Sequence, residues 1–369
     1  MSFQSRSNTV AISPPLLRHS VPKTNSPTDR SLALNLPVKK ILALLLILPS
    51  FSQETVTRIA CGSCYKPERE TGIWEVIAAE QPQAFLFMGD NVYADTDDPK
   101  VLQEKYQALL KQPDYAAFSK KIPILATWDD HDYGKNDAGR EYPLKEFSAR
   151  MFFDTFSFPV DHEARKTPGI YHAQTLGPKG KRIQVILLDT RTFRSELPQE
   201  KINRRKTYIP QTGPSATMLG PAQWKWLEAR LKEPTELRLI VSSIQVLATA
   251  HRFEKWGNMP DERARFLTLL ARSKPVPTIL LSGDRHLAEV CRLPKSQSEL
   301  PFDLYEMTAS GMTHAGAPDD PDPLRVPGTY TRQTNFGLLD MSWQDSRPTV
   351  TLGIRTSKGE LLTSTKVAF

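Results

Sequence analysis

The feature that most constrains this chain is a series of short, unbroken apolar runs, each ending abruptly in polar residues. Ala84 to Met88 runs into Gly89-Asp90, and Ile122 to Thr127 into Trp128-Asp129-Asp130-His131-Asp132. Val185 to Leu188 runs into Asp189-Thr190-Arg191, Leu239 to Val241 into Ser242-Ser243, and Thr278 to Leu281 into Ser282-Gly283-Asp284-Arg285-His286. Runs this short, without polar alternation, predict strands buried on both faces. Helical segments lie between them: Ile73 to Glu80, Lys100 to Lys111 after Asp98-Pro99, Ala222 to Lys232 after Gly220-Pro221, and a segment opened by Asn258 and Pro260 that runs to Ser273. A proline near the first turn after a cap is a helix-start signal. Strands alternating with helices predict an α/β architecture, with ligands bound at the carboxyl ends of the strands. Residues 317–331, dense in Pro and Asp, read as a long surface loop fit to serve as a lid.

Charge excludes one class of partner. The net charge is +7, but residues 1–52 hold six Lys/Arg against Asp29 alone, so only two positive charges remain on the rest. That is no nucleic-acid footprint. Residues 1–37 are rich in Ser, Pro and Asn with no sustained periodicity, as in disordered leaders. Val38-Lys39-Lys40, the apolar run Ile41 to Pro49 and Ser50-Phe51-Ser52 then read as a secretory signal peptide, too short to span a bilayer as a helix. The expected protein is therefore exported, with no stable membrane span after cleavage. The catalytic domain is expected over residues 53–369, ending in C-terminal strands, and the protein is expected to be a monomer. A leader this long upstream of a signal is unusual, so translation is expected to start near Val38. Three cysteines (Cys61, Cys64, Cys291) in an exported chain cannot all pair internally.

Three clusters carry chemistry. In Gly89-Asp90-Asn91-Val92-Tyr93-Ala94-Asp95, a carboxylate and a phenol three residues on offer hard oxygen ligands to one cation; the alternative is a turn capped by Asp90 and Asn91. In Trp128 to Asp137, three acids and a histidine fall within four residues directly after a buried strand, which is costly without a compensating cation. Gly283-Asp284-Arg285-His286 adds another acid–histidine pair. Cys61-Gly62-Ser63-Cys64 has two readings, a dithiol redox site or one thiolate in a mixed metal set. Only the second also accounts for the acid-rich strand ends. His162, His172, His251 and His314 read as ordinary loop or core histidines, with His251 in reserve as a site residue.

Taken in order, Cys61 to Cys64, Gly89 to Tyr93, Trp128 to Asp132, Ser242 to Val246, Lys255 to Asn258 and Gly283 to His286 resemble the alkaline phosphatase D (PhoD-like) family of the calcineurin-like metallophosphoesterases. The resemblance spans roughly Thr57 to Leu339. It implies a four-layer α/β/β/α sandwich with a metal cluster at one sheet edge. Asp90 would bridge two metals; Cys64, Tyr93 and His286 would complete the first, ferric iron in the family's best-known form. Asp130, Asn136 and Asp284 would face the second, calcium in that form. Asp129 and Asp130 could exchange roles, because the register rests on matching Asp-His to the superfamily's Asn-His. His131 matches the position that protonates the leaving group. Where the superfamily commonly has a second histidine, this chain has Asp284, which favours calcium or magnesium over zinc.

The reaction so implied is hydrolysis of a phosphate monoester or diester by hydroxide held at a dinuclear centre. Arg191 and Arg285 are the expected phosphate clamps. Two other functions remain open on sequence: an exported thiol-disulfide oxidoreductase using Cys61 and Cys64, and a non-catalytic calcium-binding protein.

Overall fold

In the computed structural model, which describes residues 54–69, 71–316 and 320–369, each apolar run forms a strand. In chain order the strands are β1 (Arg58–Gly62), β2 (Phe85–Met88), β3 (Ile124–Thr127), β4 (His172–Leu176), β5 (Ile183–Leu187), β6 (Gln199–Ile202) and β7 (Arg205–Tyr208). They continue with β8 (Leu237–Val241), β9 (Thr278–Ser282), β10 (Ala288–Leu293), β11 (Leu304–Ala309), β12 (Asn335–Gln344), β13 (Arg347–Thr356) and β14 (Leu361–Val367). One six-stranded sheet has the order β14-β13-β12-β1-β2-β3, the other β10-β11-β9-β8-β5-β4, and β6 pairs with β7 alone. β1, β2 and β3 are parallel, as are β5, β8, β9 and β11.

The apolar runs are unbroken because both faces of these strands are covered. Leu86 and Met88 of β2, Leu239 and Val241 of β8, and Ile279 and Leu281 of β9 point between the sheets, with Cys61 among them. The alternate residues point outward. Phe85 and Phe87 meet Trp74 and Ile77 of α1 (Ile73–Ala79), Leu102 and Tyr106 of α2 (Pro99–Lys111), Phe118 of α3 (Pro113–Ser119) and, beyond the short α4 (Asp130–Tyr133), Phe152 of α5 (Lys145–Thr155). On the other side Ile240, Leu280 and Leu304 meet Trp224 and Leu227 of α6 (Gly220–Arg230) and Phe266 of α7 (Pro260–Arg272). Each fully buried Phe contributes about 2–3 kcal/mol by leaving water. The result is the expected four-layer α/β/β/α sandwich.

Local signals place the helices. Asp98 Oδ1 accepts Lys100 N at 2.8 Å and Pro99 occupies the first turn of α2, satisfying groups that a helix start leaves unpaired. The expected lid differs. Within residues 320–331, Val326 N donates to Val290 O and Thr331 N to Ala288 O, while Asp322 Oδ2 accepts Thr249 N and Ala250 N. This segment therefore covers the free edge of β10, where an unpaired strand would be a liability. The leader and signal segment lie outside the described residues. Among the described residues, no helix is long and apolar enough to cross a membrane.

Candidate active site

The strand ends meet at one edge of the sandwich because glycines allow it. Gly89 has φ +96°, and a Cβ there would stand 2.6 Å from Asp129 Cβ. At Gly283 a Cβ would come within 2.9 Å of Met88 O, and Gly283 N donates to Ser243 O at 2.8 Å. The residues that follow leave the strands sharply. Cys64, Asp90, Asp95, Asp137, Asp284 and His286 all have φ between 47° and 64°. Left-handed backbone at non-glycine residues costs free energy and clusters at functional sites.

These turns aim four side chains at one point. Cys64 Sγ lies 3.3 Å from Asp90 Oδ2, Tyr93 Oη donates to the same oxygen at 2.9 Å, and His286 Nε2 stands 3.2 Å from Tyr93 Oη. Ser310 Oγ sits 3.0 Å from Cys64 Sγ and accepts His286 N at 2.8 Å, tying β11 to the group. A second position adjoins it. Ligand atoms of Asp90, Asp130 and His131 lie within 4.8 Å of one another, and so do those of Asp129, Asp130 and Asp284. Asp130 accepts His131 N at 2.9 Å and Asp137 N at 2.6 Å. Asp129, wholly buried, accepts Ser243 Oγ at 2.7 Å and Arg191 Nε at 2.6 Å. Asn136 is exposed at the same cleft, its amide turned to Asp137 at 2.6 Å.

The donor set fits cations. Asp90 Oδ1 and Asp129 Oδ2 are sealed from water without a hydrogen-bond partner, an arrangement that costs free energy unless a ligand compensates it. Burial, with Cys64 and neighbouring acids, raises the Asp90 pKa, and burial raises Asp129 despite Arg191. Burial and Asp130 push Asp284 up to about 7, while burial lifts the Cys64 thiol to about 11 despite bonds from Ser310 and Tyr93. Thiol, phenol, imidazole and carboxylate on one side, and carboxylates on the other, suit two unlike metal ions. Asp130 differs: burial opposes its charge, but His131 and Arg191 outweigh burial and hold it below the usual carboxylate range.

His131 packs its ring on Tyr93, centroids 4.2 Å apart, and its Nδ1 lies 2.7 Å from Asp95 Oδ1. Burial would lower its pKa, yet Asp130, Asp90 and Asp95 push it up to about 11.

The two expected phosphate clamps part company. Arg191 does not reach the cleft: it is fully buried and paired to Asp129 and Glu254. Arg194 holds the other oxygen of Glu254 at 2.7 Å. Arg191 is thus the internal counter-ion of the acid cluster. Arg285 lines a cleft of about 380 Å³ together with Asp130, His131, Asp284 and His286, stacked 4.1 Å over Phe253. The dithiol reading also falls: Cys61 points into the inter-sheet core, burial raises its pKa, and both thiols are free. Such a thiol is inert.

Several residues escaped the sequence reading. Asp95 stood inside a quoted cluster without a role. His314 lies against Tyr93 and His286, with ring centroids at 5.0 and 4.5 Å. Ser310 and Lys66, whose Nζ lies 4.2 Å over the Tyr93 ring, carry no local signal. His251 is buried at 6% exposure near Arg285 and Lys255, neither ring nitrogen bonded.

Comparison with known proteins agrees with this architecture. A solved structure of PhoD is similar at 14% identity, covering 86% of this chain and 72% of that one, with a TM-score of 0.65. A dimetal phosphatase from Danio rerio aligns at 12% identity over 86% of this chain and 100% of that one, with a TM-score of 0.48. No curated protein matches the chain. The model of the PhoD-like phosphatase family matches residues 57–345. Over most of its length, then, this chain belongs to the PhoD-like phosphatases, enzymes that hydrolyse phosphate esters at a metal centre.

Proposed function

We propose that the hydrolysis is performed at two chemically unlike metal positions that share Asp90. Cys64, Tyr93 and His286 hold the first, and ferric iron fits their thiolate, phenolate and imidazole donors. Asp130 and Asp284, with Asn136 and with Asp129 as the alternative to Asp130, hold the second, where calcium fits and magnesium is the substitute. When bound, the ions acidify water and neutralise charge on the phosphate oxygens. The observation that carries this reading is that Cys64 and Tyr93 both reach Asp90 Oδ2 within hydrogen-bond distance while His286 Nε2 stands 3.2 Å from the Tyr93 hydroxyl.

The protein's own groups supply the remaining chemistry. Asp95 fixes the His131 ring through Nδ1, leaving Nε2 to give its proton to the departing oxygen. Tyr93 packs against that ring and limits its rotation. Arg285, on the cleft wall, orients the phosphate. Arg191 sits behind Asp129 as its buried counter-ion without touching substrate. Both monoesters and diesters fit this reading.

Metal analysis joined to hydrolysis of 4-nitrophenyl phosphate and bis(4-nitrophenyl) phosphate, with and without chelator, tests it. Activity should vanish with chelator, and the protein should show visible charge-transfer absorption that Cys64→Ser shifts or abolishes. A colourless, iron-free, active protein would refute the iron assignment. Export is proposed from Lys39-Lys40 and the apolar run to Pro49, and N-terminal sequencing of protein recovered outside the cytoplasm checks it.

A further inference from the structure

The hairpin β6–β7 has no role in the sandwich. Its strands pair only with each other, and Gln199–Ile202 is exposed throughout. A lone two-stranded ribbon is marginal in water. Its turn residues Asn203 and Arg204 have φ of 51° and 65°, the primed-turn conformation that matches strand twist. What holds the ribbon is its base. Arg252 Nη1 donates to Lys206 O at 2.8 Å, Ile209 N donates to Pro198 O at 2.9 Å, and the Tyr208 hydroxyl donates to the Asp137 carboxylate. The hairpin is thereby moored to the loop beside the second metal position, and Lys206 and Tyr208 line the cleft.

Register sorts its charges. Lys201 lies directly opposite Lys206, and Gln199 opposite Tyr208. These four share the face that turns Lys206 and Tyr208 to the cleft, while Glu200, Ile202, Arg205 and Thr207 share the other. Directly opposed like charges destabilise a hairpin. The one acid of the ribbon sits on the far face, so it does not relieve them. Arg252 adds a third positive charge on the cleft wall, 4.2 Å over Phe253. Among the described residues, Lys201, Lys206 and Arg252 have no carboxylate within ion-pair distance. A ribbon that merely needed solubility would gain nothing by opposing two lysines on its cleft side.

We infer that Lys201, Lys206 and Arg252 form a second anion subsite beside the reaction centre, which receives a non-scissile phosphate on the same substrate molecule. The substrate class is then a phosphoester bearing a second phosphate. This rests on the phosphoesterase reading above.

The test compares kcat/KM for adenosine 3′,5′-bisphosphate with that for adenosine 5′-phosphate and adenosine 3′-phosphate in the metal-loaded protein. At low salt the bisphosphate should be preferred about fivefold beyond the twofold statistical advantage. In Lys201→Ala/Lys206→Ala the excess should disappear, whereas Lys201→Arg/Lys206→Arg should keep it. Because the side chains are exposed, neither variant should melt below the parent. Raising salt toward ~1 M, where screening shortens to about 3 Å, should erase the preference in the parent. No excess preference in the parent, or an excess that survives in the folded double-alanine variant, would overturn the subsite. Absence of turnover of the mononucleotides, of 4-nitrophenyl phosphate and of bis(4-nitrophenyl) phosphate alike would instead overturn the phosphoesterase reading.

Discussion

Replacing Arg191 by methionine removes a charge on which two buried acids depend. Asp129 would keep the Ser243 hydroxyl at 2.7 Å but no cation among the described residues, and Glu254 would keep Arg194 at 2.7 Å. Breaking a fully buried pair from one side costs about 3–5 kcal/mol, because the remaining charge is left without a partner. For a domain of roughly 300 residues, at ~1.5 °C per kcal/mol, that is a fall of about 5–8 °C in melting temperature. The deficit has a pH sign. Burial already raises the Asp129 pKa, and losing Arg191 raises it further. In the unfolded chain Asp129 ionises near the ordinary carboxylate value, so the deficit is small at about pH 4 and grows as pH rises. Thermal unfolding at several pH values, with KM for 4-nitrophenyl phosphate measured on the same samples, reads both quantities. Glu254→Gln in the Arg191→Met background should recover part of the loss, since the two charges couple directly. A phosphate clamp would behave otherwise. An unchanged melting temperature with KM raised about tenfold would refute the counter-ion role.

Two further outcomes follow from the same contacts. Asp95→Asn removes the carboxylate that orients His131, and kcat should fall about tenfold to a hundredfold on esters with poor leaving groups. The fall should be much smaller on 4-nitrophenyl phosphate, whose departing phenolate needs little protonation; equal losses on both would exclude the proton-donor role. His172, buried with Nδ1 2.9 Å from Ile170 O, has its pKa lowered by burial to about 4. It stays neutral in the fold but protonates below about 6.5 when unfolded, so its stabilisation is full above 6.5 and is lost as pH falls toward 4. That loss is on the order of 3 kcal/mol, and His172→Phe should remove this increment from the acid limb in denaturant titrations.

Much of the fold was legible because burial on both faces leaves a local mark. Phe85 and Phe87 pack on helices while Leu86 and Met88 pack between the sheets, so the run must be apolar at every position. That the clusters bearing Asp90, Asp130 and His286 meet was legible for a related reason: each follows the carboxyl end of a parallel strand, and such ends share one edge, whereas the grouping of Cys64, Tyr93 and His286 around Asp90 came only with the family resemblance. Nothing local separated Cys61 from Cys64. One lies on the strand and faces the core; the other lies past it with φ 59° and faces the site.

The sequence by itself determined where the strands end and which ligand types stand there. Only the tertiary structure decided which of those side chains face outward. Arg191 and Arg285 both follow strand-end acids, yet one is sealed between Asp129 and Glu254 and the other opens on the cleft. The partners that make the difference lie 62 and 63 positions away from Arg191. Residues 317–331 likewise read as a long surface loop, whereas the described part, 320–331, pairs with β10. Strand periodicity is set by neighbours in the chain and can be read there. The fate of a charge at a loop depends on which distant groups fold against it, and no local pattern encodes that.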